Sequence, residues 1–197
     1  MEQKIDAILM ASGLSRRYGA ENKLLQPFLG KSLIQRAVEL VTSEDQIQQV
    51  KLVYADEQVR REVETYPMDF IKNFHPEDGI SESIRLGVGA SNADYYLFLP
   101  CDQPLLDKET LRRVLSAAAI GKIVGPVWGG TFGTPTVFSS VFRKELLELE
   151  GDCGGKVVIR NHPDAIVQVE ATGPWALYDI DSKKEEKEFL RVLKKEF

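Results

Sequence analysis

Apolar runs of strand length alternate with amphipathic helical stripes along this chain, and that alternation is the strongest constraint on its fold. Residues 5–11 (IDAILMA), 50–55 (VKLVYA) and 95–100 (YYLFLP) are short and apolar, as strands buried on both faces are. Between them lie helical signals. Ser32 and Gln35 form a capping-box pair, and Leu33, Ile34, Ala37, Val38 and Val41 follow at helical spacing. The pattern predicts a polar helix over 56–65 and a short strand near Asp69–Lys72. After the loop NFHPEDG, a helix is marked by Ile80, Ile84 and Val88. Another is marked by Leu111, Val114, Leu115 and Ala118 behind Asp107 as its N-cap. KIVGPV, PTVF, AIVQVE and ALYDI complete the expected strands, and 140–149 reads as helical. Ser182 with Glu185 caps a last helix, whose apolar face is Phe189, Leu190, Leu193 and Phe197. Strands separated by helices imply parallel βαβ units and a sheet covered on both faces, an α/β fold.

No linker rich in Pro, Gly or Ser, no repeat and no low-complexity run divides the 197 residues, so a single domain over 1–197 is expected. The net charge of −5 gives no general reason to bind nucleic acid or an anionic membrane, and no apolar stretch approaches the length of a membrane span. The N-terminus lacks the basic region and long apolar core of a signal peptide. Two cysteines and two histidines, all scattered, predict reduced thiols in a cytoplasmic protein and speak against a Cys/His metal site.

The stretch MASGLSRRYG leaves the first strand at its carboxyl end, where open parallel sheets bind ligands. Small residues at Ala11, Ser12 and Gly13 let backbone N–H groups approach a ligand closely, and several in a row make an anion-binding nest. Arg17 and Lys23 add full positive charges. The combination suits a polyphosphate, although it is neither a Walker A loop nor a GxGxxG turn. Asp102, between Pro100 and Pro104 at the end of an apolar strand, is placed either to hold Mg²⁺ at the ligand edge or to serve as a turn residue. Asp179 and Asp181 share one side of an expected strand, so spacing does not separate them. Ser81 and Ser83 stand at a loop-to-helix junction, where hydroxyls and free N–H groups either cap the helix or read a base edge or ribose. His75 in the same loop reads as a solvated histidine.

Several of these segments, in order, resemble one family. Met10, Ala11, Ser12, Gly13, Ser15, Arg17 and Gly19 fall on the LAAGxSxRMG signature of the nucleotidyltransferases that attach a nucleotide to the molybdenum cofactor, with Met10 and Ser12 as conservative departures from its usual residues and Tyr18 in place of the usual Met. DGISESIRLGV, LPCDQPLL, GTPTVFSS, GDCGGK and DIDS resemble the family's later blocks. The resemblance points to the cytidylyltransferase (MocA-like) branch of the MobA-like family. That resemblance implies a three-layer Rossmann-like nucleotidyltransferase (GT-A-like) fold with a mostly parallel central sheet. It also implies transfer of CMP from CTP to the terminal phosphate of molybdopterin, with pyrophosphate leaving. Under it, Arg17, Lys23 and Asp102 are catalytic. Ala11, Ser12, Gly13, Ser15, Asn73, Ser81 and Ser83 join them in binding the nucleotide, and Asp102 and Asp181 hold Mg²⁺ or Mn²⁺. Gly133, Pro135, Gly154, Gly155 and Lys156 fall on the acceptor side, where Gly154 and Gly155 could open a helix under Asp152 and Lys156 could pair with the pterin phosphate. A molybdenum hydroxylase or its chaperone would receive the product. The alternatives are a nucleotidyltransferase for a sugar or alcohol phosphate, and a nucleotide-binding protein that delivers cofactor without catalysis.

Overall fold

The computed structural model describes residues 3–13, 18, 21–185 and 189–190. The elements run β1 (Ile5–Ala11), β2 (Pro27–Phe28), β3 (Lys31–Ser32), α1 (Leu33–Thr42), β4 (Gln49–Tyr54), α2 (Glu57–Glu62), β5 (Asp69–Lys72), α3 (Ile80–Gly89) and β6 (Tyr95–Pro100). They continue with α4 (Lys108–Ser116), β7 (Ile123–Trp128), β8 (Thr131–Phe132), β9 (Thr136–Ser139), α5 (Arg143–Leu147), α6 (Lys156–Asn161) and β10 (Ile166–Glu170). Among the described residues, eight strands form one sheet in the order β10-β7-β9-β6-β1-β4-β5, with β8 paired to β7, and β2 and β3 form a separate hairpin.

Alternation along each strand divides the core between two faces. Ala7, Leu9, Ala11, Leu97 and Leu99 pack with the buried stripes of α1 and α4 on one side. Ile8, Tyr96 and Phe98 pack with Ile84 and Val88 of α3, Leu146 of α5 and Val158 of α6 on the other. The result is the three-layer, mostly parallel arrangement expected. Local signals behave as their chemistry requires. Ser32 and Gln35 close a capping box on α1, and Asp107 accepts from the Thr110 N–H at the start of α4.

Three expectations are corrected. PTVF is a strand, but β9 runs antiparallel to both β6 and β7, so the sheet is mixed on that side. The helix expected over 56–65 stops at Glu62. ALYDI is not a strand: Pro174–Leu177 is a 3-10 turn, and the following residues run on without sheet partners among the described residues. What holds this segment is aromatic packing. Phe189 lies 4.5 Å from Tyr178, 4.9 Å from Trp175 and 5.9 Å from Phe28 of β2, centroid to centroid. Ser182 caps the last helix as expected by accepting from Glu185 N–H; Leu193 and Phe197 lie outside the described residues.

Candidate active site

β1 pairs in parallel with β4 on one side and β6 on the other, so the strand order reverses direction at β1. A crevice opens at such a switch point, beyond the strands' carboxyl ends. Met10 stands opposite Pro100 in register, so the two chains leave the sheet side by side: Ser12 and Gly13 after β1, Cys101 and Asp102 after β6.

Lys23 enters this crevice from a 3-10 turn, Lys23–Leu25. Asn22 caps the turn by accepting from Leu24 N–H at 3.0 Å and donates to Asp56 Oδ2 at 3.1 Å. The Lys23 backbone is thus anchored while its side chain extends. Its Nζ donates to Asp102 Oδ2 at 2.7 Å, Asp181 Oδ1 at 3.1 Å and the Ile180 carbonyl at 3.2 Å. The Ile180 N–H donates to the Asp102 carbonyl at 3.0 Å, which fastens the 179–181 segment to the end of β6. Burial works against the Lys23 charge, but Asp102 and Asp181 outweigh it and hold the ammonium above the ordinary lysine range. Asp179 experiences the opposite balance. Burial, then repulsion from Asp102, pushes its carboxyl up to about 6, while a hydrogen bond from Gln103 and the charge of Lys23 pull it down. The structure therefore separates the two carboxylates that spacing left equivalent: Asp181 faces Lys23, and Asp179 faces Gln103.

Asp102 Oδ1 is buried and has no hydrogen-bond partner among the described residues. Orphaned buried carboxylate oxygens are costly. A divalent cation fits the chemistry of this donor set, one or two carboxylates and a carbonyl, all hard oxygen. Among the described residues, no group of three or more His, Cys, Asp or Glu side chains is placed to hold a metal ion by itself, so substrate oxygens would have to supply the rest of the shell.

The expected nucleotide side is knitted by serines. Ser12 Oγ lies 2.5 Å from Ser83 Oγ and accepts from Asn73 Nδ2 at 3.2 Å, all buried. Ser81 is fully buried, with its hydroxyl on the Asp78 carbonyl and its N–H on the Gly151 carbonyl. These hydroxyls are engaged with the protein itself. Gly79 at φ +86° lies so close to Gly151 and Asp152 that a Cβ there would fall 2.7 Å from the Gly151 carbonyl. The loop before α3 and the GDCGGK loop are therefore packed backbone to backbone. Gly155 precedes α6 without a side-chain cap hydrogen bond, and Lys156 begins that helix exposed. Gly133 and Pro135 shape a turn held by Gly133 N–H on the Pro126 carbonyl, with Thr134–Pro135 cis. Ser15 and Arg17 lie outside the described residues. His75 is an exposed loop residue beside Glu77, as expected.

Sequence reasoning missed Gln103 and the Ile180 carbonyl. A glutamine directly after Asp102 and before Pro104 was the available signal for the first, whereas a backbone acceptor leaves none.

A doubly wound sheet whose switch point gathers a lysine and converging carboxylates is a Rossmann-like fold with a site suited to phosphate and metal chemistry. The chain belongs to the MobA-like NTP transferase domain family, which it matches over residues 7–166. It is 30% identical over 118 residues to a molybdenum cofactor guanylyltransferase of Shewanella sp. strain MR-4, covering 59% of this chain and 58% of the relative. It is 32% identical over 133 residues to a probable molybdenum cofactor guanylyltransferase of Haloferax mediterranei, covering 66% of this chain and 58% of that one. The matched stretch thus spans less than two thirds of these relatives' length. A nucleotidyl transferase from Methanothermobacter thermautotroptrophicus shares the fold with a TM-score of 0.82, at 21% identity and over 96% of this chain and 99% of that one.

Proposed function

We propose that this protein transfers a nucleotidyl group from CTP to the terminal phosphate of molybdopterin, releasing pyrophosphate, in the cytoplasm. The observation that carries this reading is the convergence of Lys23, Asp102 and Asp181 at the switch point beside the β1 loop. In this reading the residues after β1, with Arg17, hold the β- and γ-phosphates. Lys23 offsets charge at the α-phosphate and the leaving group. Asp102 and Asp181 would hold Mg²⁺, which when bound neutralises charge developing on phosphate oxygens. The protein contributes chiefly position and preorganised charge, since an attacking phosphate needs no strong base. The acceptor falls to the turn at Gly133 and Pro135 and to Gly154, Gly155 and Lys156, and a molybdenum hydroxylase or its chaperone would take the product.

CTP is favoured by Ser12. Its side chain is buried at the end of β1 and held by Ser83 and Asn73. It narrows the space over the strand, which suits a pyrimidine better than a purine. A steric difference of this size is worth only ~1–3 kcal/mol, hence a preference and not exclusion. The second reading is GTP, favoured by the names of the guanylyltransferase relatives. Pyrophosphate release measured with CTP, GTP and ATP, with and without molybdopterin, decides. The expected result is turnover only with molybdopterin and the highest kcat/KM for CTP. A preference for GTP assigns the guanylyl reaction, and turnover only with a sugar or alcohol phosphate removes the pterin acceptor.

A further inference from the structure

Three acceptors converge on the Lys23 ammonium: Asp102 Oδ2, Asp181 Oδ1 and the Ile180 carbonyl. They are hard oxygens on one small cation, the donor chemistry a divalent metal takes. Lys23 is the side chain the proposed reaction needs at the triphosphate, and Asp102 and Asp181 are those it needs at the metal. The two demands conflict in this geometry, because the lysine sits on the oxygens the metal would use. We propose that Lys23 and the divalent cation compete for Asp102 and Asp181, so that the cation gains its site only as the triphosphate draws the ammonium away. This inference rests on the nucleotidyl-transfer reading and adds an order of loading to it.

Three features support an exchange. The first is charge balance. Asp102, Asp179 and Asp181 gather around this lysine, so withdrawing the ammonium alone leaves carboxylates uncompensated in a partly buried place, where the side-chain exposures are 15% for Lys23, 19% for Asp102 and 33% for Asp181. A cation must replace it, and departure is favourable only when a metal arrives as phosphates receive the lysine. The second is mobility confined to the side chain. Asn22 fixes the turn through Leu24 and Asp56, so the ammonium can swing on its four-carbon stem without unfolding anything. The third is the spare oxygen. Asp102 Oδ1 is buried and unpartnered among the described residues while Oδ2 is taken by Lys23, so the carboxylate keeps an acceptor that the lysine leaves unsatisfied and a cation taking the lysine's place can use.

The test is binding of Mn²⁺ alone to the full chain without nucleotide, read by the resonance signal of free Mn²⁺, in the wild type and in Lys23→Met. If the lysine-out arrangement is populated at about 1–10%, wild-type affinity for the ion is reduced to that fraction of its intrinsic value. Lys23→Met should then bind Mn²⁺ about 10–100-fold more tightly while losing turnover. With a saturating non-hydrolysable CTP analogue the difference should shrink, because the triphosphate has already withdrawn the lysine. Lys23→Gln, of similar length and uncharged, serves if Lys23→Met does not fold. Equal or weaker Mn²⁺ binding by the lysine variants overturns the exchange. If Asp102→Asn lowers Mn²⁺ affinity in that case, the carboxylate metal site stands without it. If no form binds Mn²⁺, with or without the analogue, the metal assignment falls and the exchange with it.

Discussion

Asp102 joins three tasks in one side chain: it anchors Lys23, repels Asp179 and leaves one oxygen unengaged. Asp102→Asn keeps the shape and removes the charge. Its turnover should fall by on the order of 10²–10³, the cost of one preorganised electrostatic contact, with little change in melting temperature. Activity and thermal melting measured on the same preparation check this; a large drop in melting temperature would make Asp102 a structural residue. Lys51 carries the opposite expectation. It lies within β4 and is buried, 2.9 Å from Asp69 and 3.8 Å from the buried Asp6, which also accepts from Ser91 at 2.6 Å. Lys51→Met leaves Asp6 without its counter-charge and should cost about 3 kcal/mol in urea unfolding, with kcat little changed in the folded fraction. VKLVYA was legible as a strand because its other residues are apolar. The role of its lysine was not, because the carboxylates that justify it come from neighbouring strands. The same holds at the site. Lys23 and Asp102 were each visible as odd residues beside apolar runs, but their contact depends on which strands are neighbours, and no local spacing encodes that.

Elements with local chemical signatures were the ones that could be read: the Ser32 box, the Asp107 cap and the buried stripes of α1 and α4. Direction and company were harder. β9 has the composition of any buried strand, and its antiparallel course follows from the short turn at Gly133 and Pro135, which leaves no length for a crossover helix. ALYDI misleads because its apolar residues are buried by aromatic rings from distant segments and not by a sheet. Close approach of elements makes a sharper prediction. Gly87 of α3 lies against β1, where a Cβ would clash with Ile8 Cγ2. Gly87→Ala gains about 1 kcal/mol in helix propensity but overpacks a buried β-branched side chain at a cost of ~1–3 kcal/mol. Net destabilisation should result, and in an Ile8→Ala background the same substitution should become neutral or stabilising. A four-way cycle of denaturation midpoints measures that coupling.

Across the whole molecule, the sheet and the site have different foundations. The sheet path from β10 to β5 is unbroken, covered on both faces, and we propose that it melts as one domain. The site borrows Asp181 from a segment outside that sheet, held by the Ile180–Asp102 backbone bond, the Lys23 contacts and the rings around Phe189. Such attachments belong to the low end of a protein's local stabilities. Hydrogen exchange at the Ile180 amide should therefore report a smaller opening free energy than exchange at Leu9 in β1, and catalytic activity should disappear on heating before the sheet's circular dichroism changes. Coincident loss of both signals would place the segment in the same cooperative unit as the sheet. If the signals part, heat silences the site by peeling away one strap while the sheet beneath it stays folded.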